Sequence, residues 1–503
     1  MPRAQAQIRI KPTALPAAAA LAMPGQAGAA AARVGKRAAP ELVKGPIART
    51  LILFSLPILG SSILQSLNAS INAIWIGQMI GPSGLSAGSI ANSMLFFLIS
   101  VGFGMGMAAT ILIAQGLGAR DTVAVKRTVG TSFVFFTLLS LGIGALGFLG
   151  APFLLRMLRT PPDVLPLASA YLRVIFLALP SIYLYTFVMQ ALRGAGDART
   201  PFVFLLFSAA LDVGLNPVFI GGLGPIPALG IAGSALATLL SQWIGLIALV
   251  GWLYHRKHFL RITSGELRYL RLDMDILRAL VRKGLPMGVQ MIVMSSSMLG
   301  MISLVNHYGS MTVAAYGACF QLWNYIQMPA MAVGMACSAM AAQNVGARSW
   351  DRVGRIAWIG VLYNILLTGS MVLLVTLIDR HAFSLFLGGD GPGVDIARHI
   401  HFIASWSFIL FGAGFVLSSV VRATGAVMPP LVIMFIAMWM VRLPFAALMS
   451  RVWGAEAIWW SFPLGSGVST LLLYAYYRFG GWKQAKMVEH ASMPPNTGDS
   501  VAC

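Results

Sequence analysis

Three stretches of this chain hold no Asp, Glu, Lys or Arg: Leu51 to Ala119, Thr128 to Leu155 and Gly284 to Ala347. A helix needs only about 20 apolar residues to cross the ~30 Å hydrocarbon core of a bilayer. Runs this long exceed a soluble core helix; the first and third, of 69 and 64 residues, have room for spans in series, and the second, of 28, for one. Lipid offers no partner to a bare N–H or C=O, so each span must be a helix or part of a closed barrel. The runs are continuously apolar, without the period-two alternation of barrel strands, and that selects helices. Composition agrees, since 58% of the 503 residues are hydrophobic and 10% are charged. A soluble chain of this size needs more polar surface. The expected fold is an all-α membrane protein.

Twelve transmembrane helices are expected, at approximately 51–77, 87–114, 128–151, 167–190, 200–221, 228–253, 284–306, 312–342, 356–378, 399–421, 428–450 and 457–477. With the N-terminus in the cytoplasm, 28 of the 35 Lys and Arg residues fall on the cytoplasmic side and six on the other. Those six are Arg156, Arg159, Arg173, Arg380, Arg398 and Arg451, and Arg442 lies inside a span. This is a strong positive-inside bias. The net charge of +20 is therefore a topology signal with some attraction to anionic lipid, not a nucleic-acid footprint. A multi-pass protein of the cell (inner) membrane is expected, with both termini cytoplasmic and the lipid bilayer as its partner.

Residues 1–46, rich in Ala and Pro, read as a disordered cytoplasmic tail. Pro16 and Pro24 interrupt the apolar part that would make a signal peptide, and a full set of spans follows. Residues 479–503 form a second cytoplasmic tail, and 255–283 a cytoplasmic linker between lobes at 47–254 and 284–478. Cys319, Cys337 and Cys503 have neither metal-ligand spacing nor a disulfide framework.

The two lobes are copies. Pro57 matches Pro286, and Arg193-Gly-Ala-Gly196 matches Arg422-Ala-Thr-Gly425, at an offset of 229. Pro201 matches Pro430 at that offset, and Gln115-Gly-Leu-Gly-Ala-Arg120 matches Gln343-Asn-Val-Gly-Ala-Arg348 at 228. Each copy has six spans, so the repeat is parallel and its axis runs along the membrane normal. Two parallel six-helix bundles around a central cavity, able to rock about it, are a common transporter plan. Glycine runs in spans two (Gly102, Gly104, Gly106) and three (Gly142, Gly144, Gly147) read as packing features.

Fourteen of fifteen acids lie in tails, loops or span ends; Asp212 lies in the middle of span five. Counted from Arg199 at ~1.5 Å per residue, it sits about 20 Å in, past the midplane. An ionised Asp at that depth costs roughly 2.5–3.5 kcal/mol or more. It is tolerable facing a wet cavity, binding a cation or holding a proton. Ser208, Asp212 and Asn216 share one helix face, and Pro217 deprives the Val213 carbonyl of its helical partner. These oxygens suit a hard cation or a proton relay.

The landmark strings carry a resemblance. Leu56-Pro57, Ile71-Asn-Ala-Ile-Trp-Ile-Gly77, Gln115-Gly-Leu-Gly-Ala-Arg120, Ala191-Leu-Arg-Gly-Ala-Gly-Asp197, Gly230-Ile-Ala-Gly-Ser-Ala-Leu-Ala-Thr238 and Arg442-Leu-Pro444 together resemble the multidrug and toxic compound extrusion (MATE) family, over about residues 45–480. The loop Gly118-Ala-Arg-Asp121 followed by Lys126-Arg127 is only superficially like that of the major facilitator superfamily. The resemblance implies an antiporter that exports organic, cationic, drug-like compounds in exchange for protons or sodium ions by alternating access. It implies no cofactor and small organic substrates; a monomer is expected. Many family members carry Asn-x-x-Leu-Asp in span five, whereas this chain has Asp212-Val-Gly-Leu-Asn216, with the two groups exchanged. Where many carry an Asp in span one, this chain has Asn72. The resemblance adds Asn72, Thr238 and Tyr185 to the cation-coupling set.

A multidrug cavity is apolar with a few polar groups and aromatics. Candidates are Gln65 and Asn68 in span one, Gln290 in span seven, Trp323, Asn324 and Gln327 in span eight, and Arg442 in span eleven. For any one of them, helix packing or interfacial anchoring is the commoner role. No nucleotide-binding loop is present. His399 and His401, without an embedded acid nearby, do not make a catalytic constellation, so no enzyme is expected. The alternative reading is a flippase for a lipid-linked precursor, which would call for a basic central cavity.

Overall fold

The computed structural model describes residues 42–157, 160–222, 227–389 and 391–488. The expected tail up to residue 41, the chain from residue 489 and Arg159 lie outside the described residues. The described residues form helices and no strand. The first lobe consists of α1 (Ile47–Ile80), α2 (Pro82–Gly118), α3 (Thr122–Met157), α4 (Leu165–Gly194), α5 (Arg199–Gly221) and α6 (Ile231–His255). The second begins with α7 (Met274–Val305), α8 (Ser310–Gly346) and α9 (Trp350–Leu377), followed by the short α10 (Asp379–Leu387). The tenth crossing is broken: α11 (Pro392–Ala404) and α12 (Ser407–Arg422) meet at 43°. In the eleventh, α13 (Met428–Phe435) runs through a π-helical segment, Ile436–Arg442, into α14 (Leu443–Trp453). The twelfth is α15 (Glu456–Phe479), packed on α12 and α14.

Counting Met428–Trp453 as one, ten helices are long and apolar enough to cross a bilayer, and the bent pair makes eleven. α15 falls below that hydropathy because serines, glycines and tyrosines replace aliphatic residues along it. The most buried spans are α4 and α8, while α9 faces outward. Each lobe thus packs around one central helix. The outward faces carry Leu146, Leu149, Phe153, Phe402 and Leu471, a surface suited to lipid.

Helix α7 begins ten residues before the expected start at 284, because Asp273 caps it by accepting from Asp275 N at 3.1 Å. Its first turns carry Arg278, Arg282 and Lys283, so this part projects past the apolar span. The linker before it folds as a short turn of helix, Ser264–Tyr269, with a Thr263–Glu266 capping box. It is clamped to α3 by Lys126–Glu266 at 2.8 Å and by Arg127–Asp273, whose Nε bond is 2.9 Å.

The repeat landmarks turn out to be helix ends that meet. Arg120 (φ 59°) and Arg348 (φ 57°) both adopt the left-handed conformation that stops α2 and α8. Just before them, Gln115 Nε2 donates across the lobes to Ala423 O at 2.7 Å, and Gln343 Nε2 donates back to Gly194 O at 3.0 Å. A Cβ on Gly118 would lie 1.8 Å from Gln343 O, and one on Gly346 would lie 2.0 Å from Gln115 O. Higher in the same seam, Gly104 packs on Gly288, its would-be Cβ 2.2 Å from that backbone N. The small residues permit this approach, and the two lobes close against each other at the end where α2 and α8 finish.

Candidate functional site

The carboxylate of Asp212 sits in the middle of α5 and is 2% exposed. Four side chains donate to it. Asn68 Nδ2 and Asn72 Nδ2, one turn apart on α1, reach Oδ2 at 2.8 and 2.7 Å. Thr238 Oγ1 from α6 reaches Oδ1 at 3.1 Å, and Asn216 Nδ2 approaches the same oxygen at 3.4 Å. The Asn216 amide also donates to Asn72 Oδ1 at 3.1 Å and to the Asp212 carbonyl at 2.9 Å, tying α5 to α1. Among the described residues no cation forms an ion pair with Asp212. A buried carboxylate without a counter-charge survives only by charge-assisted hydrogen bonds, and this ring supplies them.

Two buried oxygens beside it, Asn68 Oδ1 and Asn216 Oδ1, receive no donor from the protein. With the carboxylate they offer the oxygen donors that a small hard cation uses. Rotation of the Asn68 amide would equally present an acceptor to a carboxyl proton. The ring has the parts for either ion.

Asp212 forms part of the wall of a cavity of about 930 Å³. The wall takes in the second half of α1, the first half of α2, parts of α4 to α6, and Ser295, Met298, Leu299, Ile302 and Phe320 from the second lobe. All of these stretches lie away from the closed seam, so the cavity belongs to the opposite half of the molecule. Its lining is mostly apolar, with Phe96, Phe97, Tyr171 and Phe320 as aromatics and Gln65, Asn92 and Gln242 as polar points. Among the described residues its wall has no Lys or Arg, and so lacks the basic character that a lipid-linked precursor's phosphates would call for.

The structure therefore brings Gln65, Asn68, Asn72, Ser208, Asp212 and Thr238 to one wall. Asn216 lies just behind, fully buried. Ser208 shares the face as expected but donates to Ser241 O at 3.0 Å, not to Asp212. Tyr185 is buried beside Ser208. The expected residues of the second lobe are placed elsewhere. Gln290 accepts from Arg422 Nη1 at 2.5 Å. Trp323 is fully buried among Tyr316, Phe408 and Phe462 and donates to His401 Nδ1 at 3.4 Å. Asn324 and Gln327 are half-buried and off the cavity wall. Arg442 lies over the Phe462 ring, 3.6 Å from its centroid, in the space that Gly465 leaves open. Sequence reasoning missed Asn92, Gln242 and Tyr171, which stand in ordinary apolar helix sequence with no spacing signal.

The lobes match the MatE family profile twice, at residues 57–218 and 286–448. The chain belongs to the MATE family of multidrug efflux transporters. It is similar to "Probable multidrug resistance protein YoeA" of Bacillus subtilis (strain 168), 36% identical over 88% of this chain and 96% of the relative. "Probable multidrug resistance protein YpnP" of the same organism is 32% identical, covering 89% and 98%. "Multidrug export protein MepA" of Staphylococcus aureus (strain MRSA252) is 24% identical, covering 85% and 93%. Among solved structures, an "Outward-facing conformation of a multidrug resistance MATE family transporter of the MOP superfamily" superposes with a TM-score of 0.81 at 21% identity, covering 88% of this chain and 98% of that one. These likenesses establish the transporter fold, and each of the two matched stretches falls within one lobe.

Proposed function

We propose that this MATE transporter is a secondary antiporter that exports organic, cationic, drug-like compounds in exchange for protons or sodium ions, with Asp212 as the coupling carboxylate. The observation that carries this reading is the Asp212 ring itself: a buried carboxylate with no paired cation, in the wall of a large apolar cavity. A lipophilic cation would find aromatic walls, low dielectric and one negative charge there. An ion binding to Asp212 removes that charge and frees the amides that hold it. Drug and ion would thus compete for one site, which is the minimum an exchanger needs.

On this reading the positive-inside bias supports a closed seam at the cytoplasmic face and a cavity that opens away from the cytoplasm. In this state the transporter would release drug and take up the ion. Opening the seam and closing the far half would carry the ion inward. We place the protein in the cell inner membrane as a single chain with both termini cytoplasmic.

The test is efflux of a fluorescent lipophilic cation from reconstituted vesicles, with a pH gradient and a sodium gradient imposed separately. Wild type should respond to one of them. Asp212→Asn, nearly the same shape, should insert normally and lose at least 90% of gradient-driven efflux. Unchanged efflux in that variant would remove Asp212 from the mechanism.

A further inference from the structure

Within the closed seam, apart from the drug cavity, a space of about 20 Å³ lies between the lobes. Thr110, Gln190 and Arg193 face it from the first lobe, and Ser338 and Ala339 face it from α8 of the second. Arg193 is 8% exposed, and its Nε, like Gln190 Nε2, is buried and meets no protein acceptor. Among the described residues its one side-chain hydrogen bond, Nη1 to Gln190 Oε1, is long at 3.4 Å. Among the described residues no carboxylate pairs with Arg193. Asp197, close in sequence, is occupied in capping α5 through Arg199 N, Thr200 N and the Thr200 hydroxyl. The Thr110 hydroxyl donates to Gly106 O and Gln190 O.

The repeat mate sharpens the contrast. Arg422, although its Nε likewise meets no protein acceptor, uses Nη1 on Gln290 Oε1 at 2.5 Å and Nη2 on Ser419 Oγ at 2.9 Å, and lies over Phe415 at 5.3 Å. Arg193 has no comparable set of partners. A buried cation without compensation is strongly unfavourable, and the unused groups around it are donors. What the site lacks is a small acceptor with a negative charge.

We propose that Arg193 and Gln190 hold a monovalent anion of chloride size in this seam, bound while the lobes are closed there. The space suits one particle of water or halide size, which excludes phosphate and organic carboxylates. Since both lobes form the walls, opening the seam dismantles the site. The anion therefore multiplies the closed-to-open ratio by one plus its concentration over its Kd.

Bromide tests the site directly, because its anomalous scattering separates it from water. Crystals of the whole transporter grown in bromide should show an anomalous peak within hydrogen-bond reach of Arg193 Nε. In nanodiscs, spin labels at the seam ends of α3 and α9 report opening. Replacing gluconate by bromide should raise the closed-to-open ratio about tenfold once bromide reaches ten times its Kd. Ala339→Val fills the space from the other lobe and should abolish the halide response without touching the arginine. Arg193→Gln should abolish it as well. Water alone at the site in bromide crystals, or a wild-type ratio indifferent to halide, would overturn the proposal. So would an undiminished halide response in Ala339→Val.

Discussion

At the scale of single residues, Asp212 was legible in the sequence because one acid stands in the middle of an apolar run, where its solvation cost demands a reason. Its partners were less so. Asn68, expected on the drug-facing wall, lines the cavity and also donates to the carboxylate; nothing in α1 alone tells which oxygen lies opposite, more than a hundred residues away. Asn72 was reached only through the family resemblance. The ring makes a specific demand: the worth of each amide depends on the charge it serves. A hydrogen bond to a charged group contributes about 1.5–3 kcal/mol and one between neutral groups about 1. Asn72→Ala should therefore destabilise the Asp212 protein by about 2 kcal/mol and the Asp212→Asn protein by about 1 kcal/mol. Equilibrium unfolding of the four proteins in mixed micelles measures the difference. Equal costs in both backgrounds would mean that Asn72 serves helix packing and not the carboxylate.

At the scale of elements, the ten long apolar helices could be read from apolar runs and charged borders, because length and hydropathy set them directly. The break in the tenth crossing could not. No proline or glycine lies between Ala404 and Ser407, and the Ser407 hydroxyl bonds the Ala404 carbonyl at 2.6 Å, a local competition with the helix that composition does not reveal. The π-helical stretch Ile436–Arg442, which packs against α15, is equally hidden. The linker is where water and charge take over. Glu266 and Asp273 are partly buried, which opposes ionisation. The Lys126 ammonium and Arg127 guanidinium, with backbone donors, outweigh that and hold both carboxyls below their usual range. A carboxyl depressed in the folded state contributes stability above its unfolded range, lost as pH falls through the folded one. Melting temperature should be level near neutrality and fall only on acidification through and below the ordinary carboxylate range. Glu266→Gln with Asp273→Asn should lower the neutral plateau and flatten that acid limb. An unchanged limb would assign the acid sensitivity to other groups.

At the scale of the whole molecule, the repeat proves to be more than a record of duplication. The strings that reveal it, Gln-x-x-Gly-Ala-Arg and the helix end after Arg193 and Arg422, are the parts that touch when the lobes close. Each glutamine reaches the carbonyl at the opposite lobe's matching helix end, so one contact is made twice across the pseudo-axis. The chemistry departs from this symmetry. The repeat positions of Asn68, Asn72, Asp212 and Asn216 are Ser297, Met301, Val441 and Phe445, so the second lobe holds no copy of the carboxylate ring. The closing contacts are symmetric and the carboxylate ring is not. The two latches are nevertheless unequal, because Gln343 Oε1 also accepts from Leu42 N at 3.1 Å, fastening the segment before α1 to the second lobe. Removing one hydrogen bond costs about 0.5–1.5 kcal/mol, a shift of roughly 2- to 12-fold in the closed-to-open ratio. Gln115→Ala should produce one such shift, and Gln343→Ala, losing two bonds, a larger one. Gly346→Val puts a side chain where Gln115 O now lies, so it should hold the seam open and stop turnover at any gradient. Distances between labels at the seam ends of α3 and α9, recorded without halide, give the three populations. Equal shifts for the two glutamines would show that the Leu42 contact contributes nothing. A closed seam in Gly346→Val would show that closure does not need this approach of the helix ends.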